Sequence, residues 1–195
     1  MPSDRDVWLA TAAGKQFHPY RPAPDEVDLY DIAFALSNKP RFYGMTGYSV
    51  AQHCLEVSAR VPPEDALWGL LHDASEAWLP DVSRVLKGQL FVLLDGRFFE
   101  FATIENAILR TVAARFALPW PMPASIKTAD NRALVTEKRD LFGPDWPWCG
   151  SVDAEPYPDR IRTRPPTIVR RVFLSQFAQL DSRRPLCAPK PAQNP

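Results

Sequence analysis

Twenty-one prolines in 195 residues constrain this chain more than any other feature. A proline has no N–H for a helical ladder and its ring clashes with the preceding turn, so each stretch between prolines must hold its own element. The prolines cluster between segments with helical spacing, and those segments define the expected architecture. Asp28 is placed to cap a first helix carrying Ile32, Ala33, Ala35 and Leu36, which the run from Pro40 to Gly47 breaks. A second helix is predicted from about Ser49 to Arg60, with Val50, Cys54, Val57 and Val61 in phase, ending at Pro62-Pro63. A third begins near Glu64, carries Leu67, Leu70, Leu71 and His72-Asp73, and stops at Pro80, with a short segment over 81–87 after it. Further helices are predicted over about 90–116, 124–142 and 166–180. Strand signals are weak and no internal repeat is present. The expected fold is all-α, with an irregular N-terminal arm over 1–27, one helical domain over 28–182 and a proline-rich tail over 183–195 expected to be disordered. The long connection over 143–166 has the length of a lid or an oligomer contact.

Lysine plus arginine equal aspartate plus glutamate at 23 each, so no global field favours duplex nucleic acid. The three cysteines, Cys54, Cys149 and Cys187, are odd in number and share no CxxC spacing, which argues against a disulfide framework and for a cytoplasmic setting. No basic start followed by an apolar run opens the chain, and no apolar stretch approaches membrane length, so a soluble, unexported protein is expected. The apolar residues over 90–116 suit self-association and core packing equally well.

One segment is costly on these terms. His72-Asp73-Ala74-Ser75-Glu76 lies between Leu70-Leu71 and Trp78-Leu79, and burying adjacent imidazole and carboxylate groups is unfavourable unless something binds them. A divalent metal is the usual partner. His53 upstream and Asp130 downstream, each on a separate helix with apolar flanks, complete a set of two imidazoles and two carboxylates. That set suits Zn, Mn, Fe, Co or Ni better than Ca and leaves positions open for water and substrate. Helical spacing puts Glu76 on the same broad face as His72 and Asp73, near the ion without having to bind it. Glu76 and Asp81 are then candidates for proton handling, and Arg41, Arg84 and Lys87 for neutralising phosphate charge. Taken singly, each of these residues reads more readily as a packed, capping or solvated group. Trp78, Trp146 and Trp148 read as packing groups.

The order His53, His72-Asp73, Asp130 resembles the H…HD…D signature of the HD-domain metal-dependent phosphohydrolases. The resemblance extends through Asp31-Ile32-Ala33-Phe34-Ala35-Leu36-Ser37, Arg41-Phe42 and Tyr48-Ser49-Val50-Ala51-Gln52-His53-Cys54. It continues in Leu71-His72-Asp73-Ala74-Ser75-Glu76-Ala77 with Asp81, and in Ile126-Lys127-Thr128-Ala129-Asp130-Asn131-Arg132-Ala133-Leu134 with Glu137. It covers about residues 28–142 and is nearest to small bacterial and phage members. It implies an HD-type helical bundle in which His53, His72, Asp73 and Asp130 bind one divalent transition metal ion. Glu76 and Asp81 match positions that orient the attacking water and leaving oxygen in related 5′-deoxynucleotidases. Arg41 matches a phosphate-contacting arginine, and Phe42 an aromatic bordering the nucleotide. Gln52, Met45 and Phe34 depart from the Glu, His and His common in relatives.

The resemblance implies hydrolysis of the 5′-oxygen–phosphorus bond of a 2′-deoxynucleotide, either a monophosphate or a triphosphate. A cyclic-nucleotide or alarmone hydrolase fits less well, because only His18 remains as a spare histidine and two-metal members carry additional ones. A non-catalytic nucleotide-binding module is the alternative from another class. Glu76 and Asp81 beside the ligands argue against it.

Overall fold

The computed structural model describes residues 3, 6–143 and 152–183. Seven α-helices, with short 3-10 turns between them, make up just over half of these residues: α1 (Leu29–Asn38), α2 (Val50–Ser58), α3 (Ala66–Leu71), α4 (Arg84–Lys87), α5 (Phe101–Arg115), α6 (Ala124–Leu141) and α7 (Pro166–Ser182). Two antiparallel hairpins accompany them, β1 (Leu9–Ala10) with β2 (Gln16–Phe17) and β3 (Phe91–Leu94) with β4 (Arg97–Glu100). Among the described residues no helix is long and apolar enough to cross a membrane.

The predicted caps form. The Asp28 side chain accepts the Tyr30 N–H at the start of α1, and Ser49 Oγ accepts the Gln52 N–H at the start of α2. α2 is the centre of the fold. It packs against α1, α3, α6 and α7, and every one of its residues except Glu56 is buried. Burying aliphatic and aromatic side chains such as Leu36, Leu71, Ile108, Ile126 and Phe173 contributes roughly 1.5–3 kcal/mol each. On α7, Val169, Phe173 and Phe177 make the i, i+4, i+8 stripe that faces this core. A helix wholly buried in this way can bring a polar side chain to the interior only where that side chain is paired. His53 is such a residue.

Three expectations change. The predicted helix over 90–116 is a β-hairpin followed by α5, which begins only at Phe101. Asp95-Gly96 forms the turn with φ of +48° and +75°, the paired positive values that let a two-residue loop follow the strand twist. The apolar surface assigned there to a helix lies instead on the hairpin, where Phe91, Leu93 and Phe98 are exposed. The third helix does not run through His72-Asp73 to Pro80. It ends at Leu71, and Ala74–Ala77 form a 3-10 turn. The N-terminal segment is more than an irregular arm, since its hairpin delivers Phe17 into the core, stacked on Trp78 at 3.9 Å.

Of the 143–166 connection, residues 152–165 are irregular but strapped along α6. Arg132 and Arg139 donate to the carbonyls of Glu155, Tyr157 and Asp159, and Asp140 accepts the Ile161 N–H. Further on, the Gln52 amide clamps the same irregular segment, donating to the Arg162 carbonyl and accepting the Arg164 N–H. Trp146, Trp148, Cys149, Cys187 and residues 184–195 of the tail lie outside the described residues.

Candidate metal centre

His53 arrives from buried α2, His72-Asp73 from the junction where α3 gives way to the 3-10 turn, and Asp130 from α6. His72 keeps helical dihedrals while Asp73 moves to φ −101°, ψ 18°, which ends the α ladder. In the tighter 3-10 geometry side chains three apart eclipse, so Asp73 and Glu76 stand one above the other along one wall. The shared face predicted for Asp73 and Glu76 is therefore present, although the α-helical spacing from His72 to Glu76 is not.

The donor atoms converge. His53 Nε2 lies 3.1 Å from His72 Nε2, 3.6 Å from Asp73 Oδ2 and 3.3 Å from Asp130 Oδ1, and His72 Nε2 lies 3.4 Å from Asp73 Oδ2. Ligand atoms bound at about 2.1 Å to one ion are spaced roughly 3.0–3.4 Å apart along the edges of an octahedron or tetrahedron. His53, His72 and Asp73 each offer an atom within 4.8 Å of the others, and Asp130 joins this trio through His53.

The outer faces of the rings fix their chemistry. His72 Nδ1 is 2.8 Å from the Gly69 carbonyl oxygen, which can only accept, so Nδ1 carries the proton. His53 Nδ1 is 2.6 Å from Glu137 Oε1 and likewise donates. Both neutral rings then turn Nε2 lone pairs toward each other across 3.1 Å, an arrangement that repels unless a cation lies between or one ring is protonated. Burial and the Arg41 charge oppose protonation of His53, but Glu137 and Asp130 overcome them and push it up to about 10. Burial lowers the His72 pKa. Burial disfavours ionisation of Asp130, yet the hydrogen bond and charge of His53 hold it far below the ordinary carboxylate range. The carboxylates thus call for a positive charge at the Nε2 pair, from protonated His53 or from a bound cation, and the donor types fit a transition ion.

A cleft of about 880 Å³ opens above these groups. Asp73, Glu76, Asp81 and Asp130 line it together with Arg41, Arg84, Lys87 and Lys127, so four acids face four bases. Phe42, Tyr43 and Phe142 add aromatic surface, with Phe42 edge-on to Phe142 at 5.1 Å. Burial, reinforced by the Asp73 charge, raises the Glu76 pKa well above the ordinary range, and burial raises that of Asp81. Glu76 Oε2 and Arg41 Nε are buried and find no hydrogen-bond partner among the described residues, which leaves one acceptor and one donor for a ligand or water. Lys39 donates to the carbonyls of Glu76 and Leu79 and so ties down the turn that carries Glu76.

Arg41 is held at a pinched loop. Its N–H bonds the Tyr48 carbonyl, the Val50 N–H bonds the Lys39 carbonyl, and Phe42, Tyr43 and Gly44 all have positive φ (55°, 57° and 82°). Non-glycine residues in that region store strain, which is characteristic of functional loops. Tyr43 Oη accepts the Ser83 N–H across the cleft mouth at 2.9 Å. Arg84 contacts Asp130 at 3.4 Å, and Lys87 bonds Glu105 at 2.8 Å while lining the cleft. All ten residues singled out from the sequence therefore line the cleft or lie beneath it. Of the three departures from the resembled pattern, Met45 lines the cleft, whereas Phe34 packs under Arg170 and Gln52 holds the 162–164 segment.

Glu137 falls within the resembled helix, but sequence reasoning gave it no role, and the structure places it fully buried against His53 and Arg41. Its position seven residues beyond Asp130, two turns along the same helical face, was the available signal.

A scan against models of known protein families finds no match. The chain is 36% identical over 145 residues to the uncharacterised protein YfdR of Escherichia coli, covering 72% of this chain and 77% of that one. It is 31% identical over 193 residues to an uncharacterised protein of Rhodobacter capsulatus, covering 87% and 93% of the two chains.

Proposed function

The chain belongs to the family of YfdR of Escherichia coli, and we propose that it is an HD-type metal-dependent phosphohydrolase acting on 2′-deoxynucleotides. The observation that carries this reading is the pair of Nε2 atoms 3.1 Å apart with both Nδ1 atoms engaged, beside two carboxylates and under a cleft whose wall carries Arg41, Arg84 and Lys87. In the proposed HD bundle, spanning 28–182, one divalent ion (Zn, Co, Mn, Ni or Fe) would be held by His53, His72, Asp73 and Asp130. When bound, it acidifies water and polarises a phosphoryl oxygen.

The remaining chemistry belongs to the side chains. Arg41 binds the phosphoryl oxygens, with Lys87 and Arg84 behind it, and their charges offset what accumulates as the 5′-oxygen–phosphorus bond breaks. Glu76 and Asp81 move protons between the attacking water and the departing 5′-oxygen, a task suited to carboxyls whose pKa values are raised. Phe42 borders the nucleoside. The volume of the cleft lies within the usual range for small-molecule sites, about 300–1,000 Å³. Water adds to phosphorus and the nucleoside oxygen takes the proton, giving deoxynucleoside and either phosphate or tripolyphosphate.

The test is direct. The metal-loaded protein is incubated with the four dNMPs and four dNTPs, and products are resolved by chromatography. Release of deoxynucleoside is expected. No release from any of the eight would sink the reading.

A further inference from the structure

Glu137 takes no part in the chemistry above, does not line the cleft and is 0% exposed, yet its two oxygens serve different halves of the site. Oε1 is 2.6 Å from His53 Nδ1, and Oε2 is 3.1 Å from Arg41 Nη2. The other end of the guanidinium, Nη1, is 3.5 Å from Asp73 Oδ2, and that oxygen is 3.6 Å from His53 Nε2. Four residues from four segments of the chain thus close a ring: His53, Glu137, Arg41, Asp73. Burying an ionised carboxylate costs several kcal/mol unless geometry and partners offset it. Here the partners are a candidate metal ligand and the arginine of the cleft wall, rather than an ion pair standing apart.

We propose that Glu137 is a positioning residue that ties the phosphoryl-binding arm to the metal centre. Through Oε1 it fixes the tautomer and orientation of His53, leaving Nε2 for the ion. Through Oε2, which has no hydrogen-bond partner among the described residues, it pairs by charge with a terminal nitrogen of Arg41 at 3.1 Å, so that the guanidinium stays in the cleft wall with its Nε–H unpaired among the described residues. The inference rests on the metal-centre reading, but not on hydrolysis.

Two variants separate the roles. In E137Q the amide oxygen still accepts from His53 Nδ1, while an NH2 group replaces the oxygen that faces Arg41. In E137L both contacts are lost. Mn²⁺ affinity is measured by titration calorimetry, and affinity of the Mn²⁺-loaded protein for inorganic phosphate is measured in the same way. Expected for E137Q is Mn²⁺ binding close to wild type with phosphate binding weakened about tenfold, the loss of one buried ion pair that holds Arg41. Expected for E137L is Mn²⁺ binding weakened about 10–100-fold. Circular dichroism checks the fold, and if E137L does not fold, E137Q alone decides. Phosphate binding by E137Q at wild-type strength overturns the proposal, as does Mn²⁺ binding by folded E137L at wild-type strength, or loss of Mn²⁺ by E137Q. A wild-type protein that binds both ions but cleaves no deoxynucleotide refutes the hydrolase reading and leaves this inference standing. A wild-type protein that binds no divalent ion overturns both.

Discussion

His53 and His72 bring their Nε2 atoms face to face because each ring spends its other nitrogen on an acceptor, Glu137 in one case and a backbone carbonyl in the other. That arrangement was half legible. Ligand residue types at His53, His72, Asp73 and Asp130 stand out in a sequence because polar groups between apolar neighbours ask for partners. Glu137 was legible as part of the same helix but its role was not, since a glutamate on an α-helix is ordinarily solvated and only the tertiary packing of α6 on α2 buries it. Glu76 is the residue on which the difference between enzyme and binding module turns. Its carboxyl is buried, has one oxygen without a hydrogen-bond partner among the described residues and is held in the less acidic state by burial. E76Q preserves its volume and removes its proton chemistry. Turnover of the reactive deoxynucleotide is expected to fall by about 10²–10⁴, with metal content unchanged by elemental analysis. A variant as active as wild type would assign the site to binding alone.

At the scale of elements, the helices bounded by prolines were readable, and those built around tight geometry were not. α1, α2, α6 and α7 begin and end near where caps and prolines put them. The hairpin over 91–100 was hidden by its aromatic content, which extends the apolar pattern of α5 toward its N-terminus. The Asp95-Gly96 dipeptide was the local signal that outweighed that pattern. The end of α3 at Leu71 had no such signal, because the switch to 3-10 geometry serves the tertiary arrangement of Asp73 and Glu76. The contact of α3 with α2 depends on one glycine. A Cβ at Gly69 would lie 2.8 Å from Ser58 Cα and 3.1 Å from Ser58 N, both backbone atoms that cannot turn aside. G69A must therefore push α3 from α2, at a cost of about 1–3 kcal/mol for overpacking. Since the Gly69 carbonyl also orients His72, the two Nε2 atoms move apart with the helices. A lowered melting temperature together with weaker Mn²⁺ binding is expected, and a melt indistinguishable from wild type would show that the helices absorb the methyl group.

For the whole molecule, the site joins distant segments: α2, the end of α3, α6 and the loop after α1 all contribute to one cluster of charges. An ion bound there holds the folded chain and has no equivalent site in the unfolded one, so occupancy and stability are linked. At a free metal concentration 100 times the dissociation constant, the linkage contributes about 2.7 kcal/mol, enough to raise the melting temperature of a chain this size by several degrees. Chelation is expected to lower the melting temperature, and Mn²⁺, Co²⁺, Ni²⁺ or Zn²⁺ to restore it. Ca²⁺ is expected to restore little, because imidazole nitrogen is a poor ligand for a hard oxygen-seeking ion. H72A should melt at the same temperature with and without Mn²⁺, which distinguishes specific occupancy from surface binding. A wild-type melt unmoved by every transition ion would mean that protonated His53 alone balances the buried carboxylates. The cleft would then be a charge-paired cavity, and the metal centre would have to be abandoned along with the chemistry built on it.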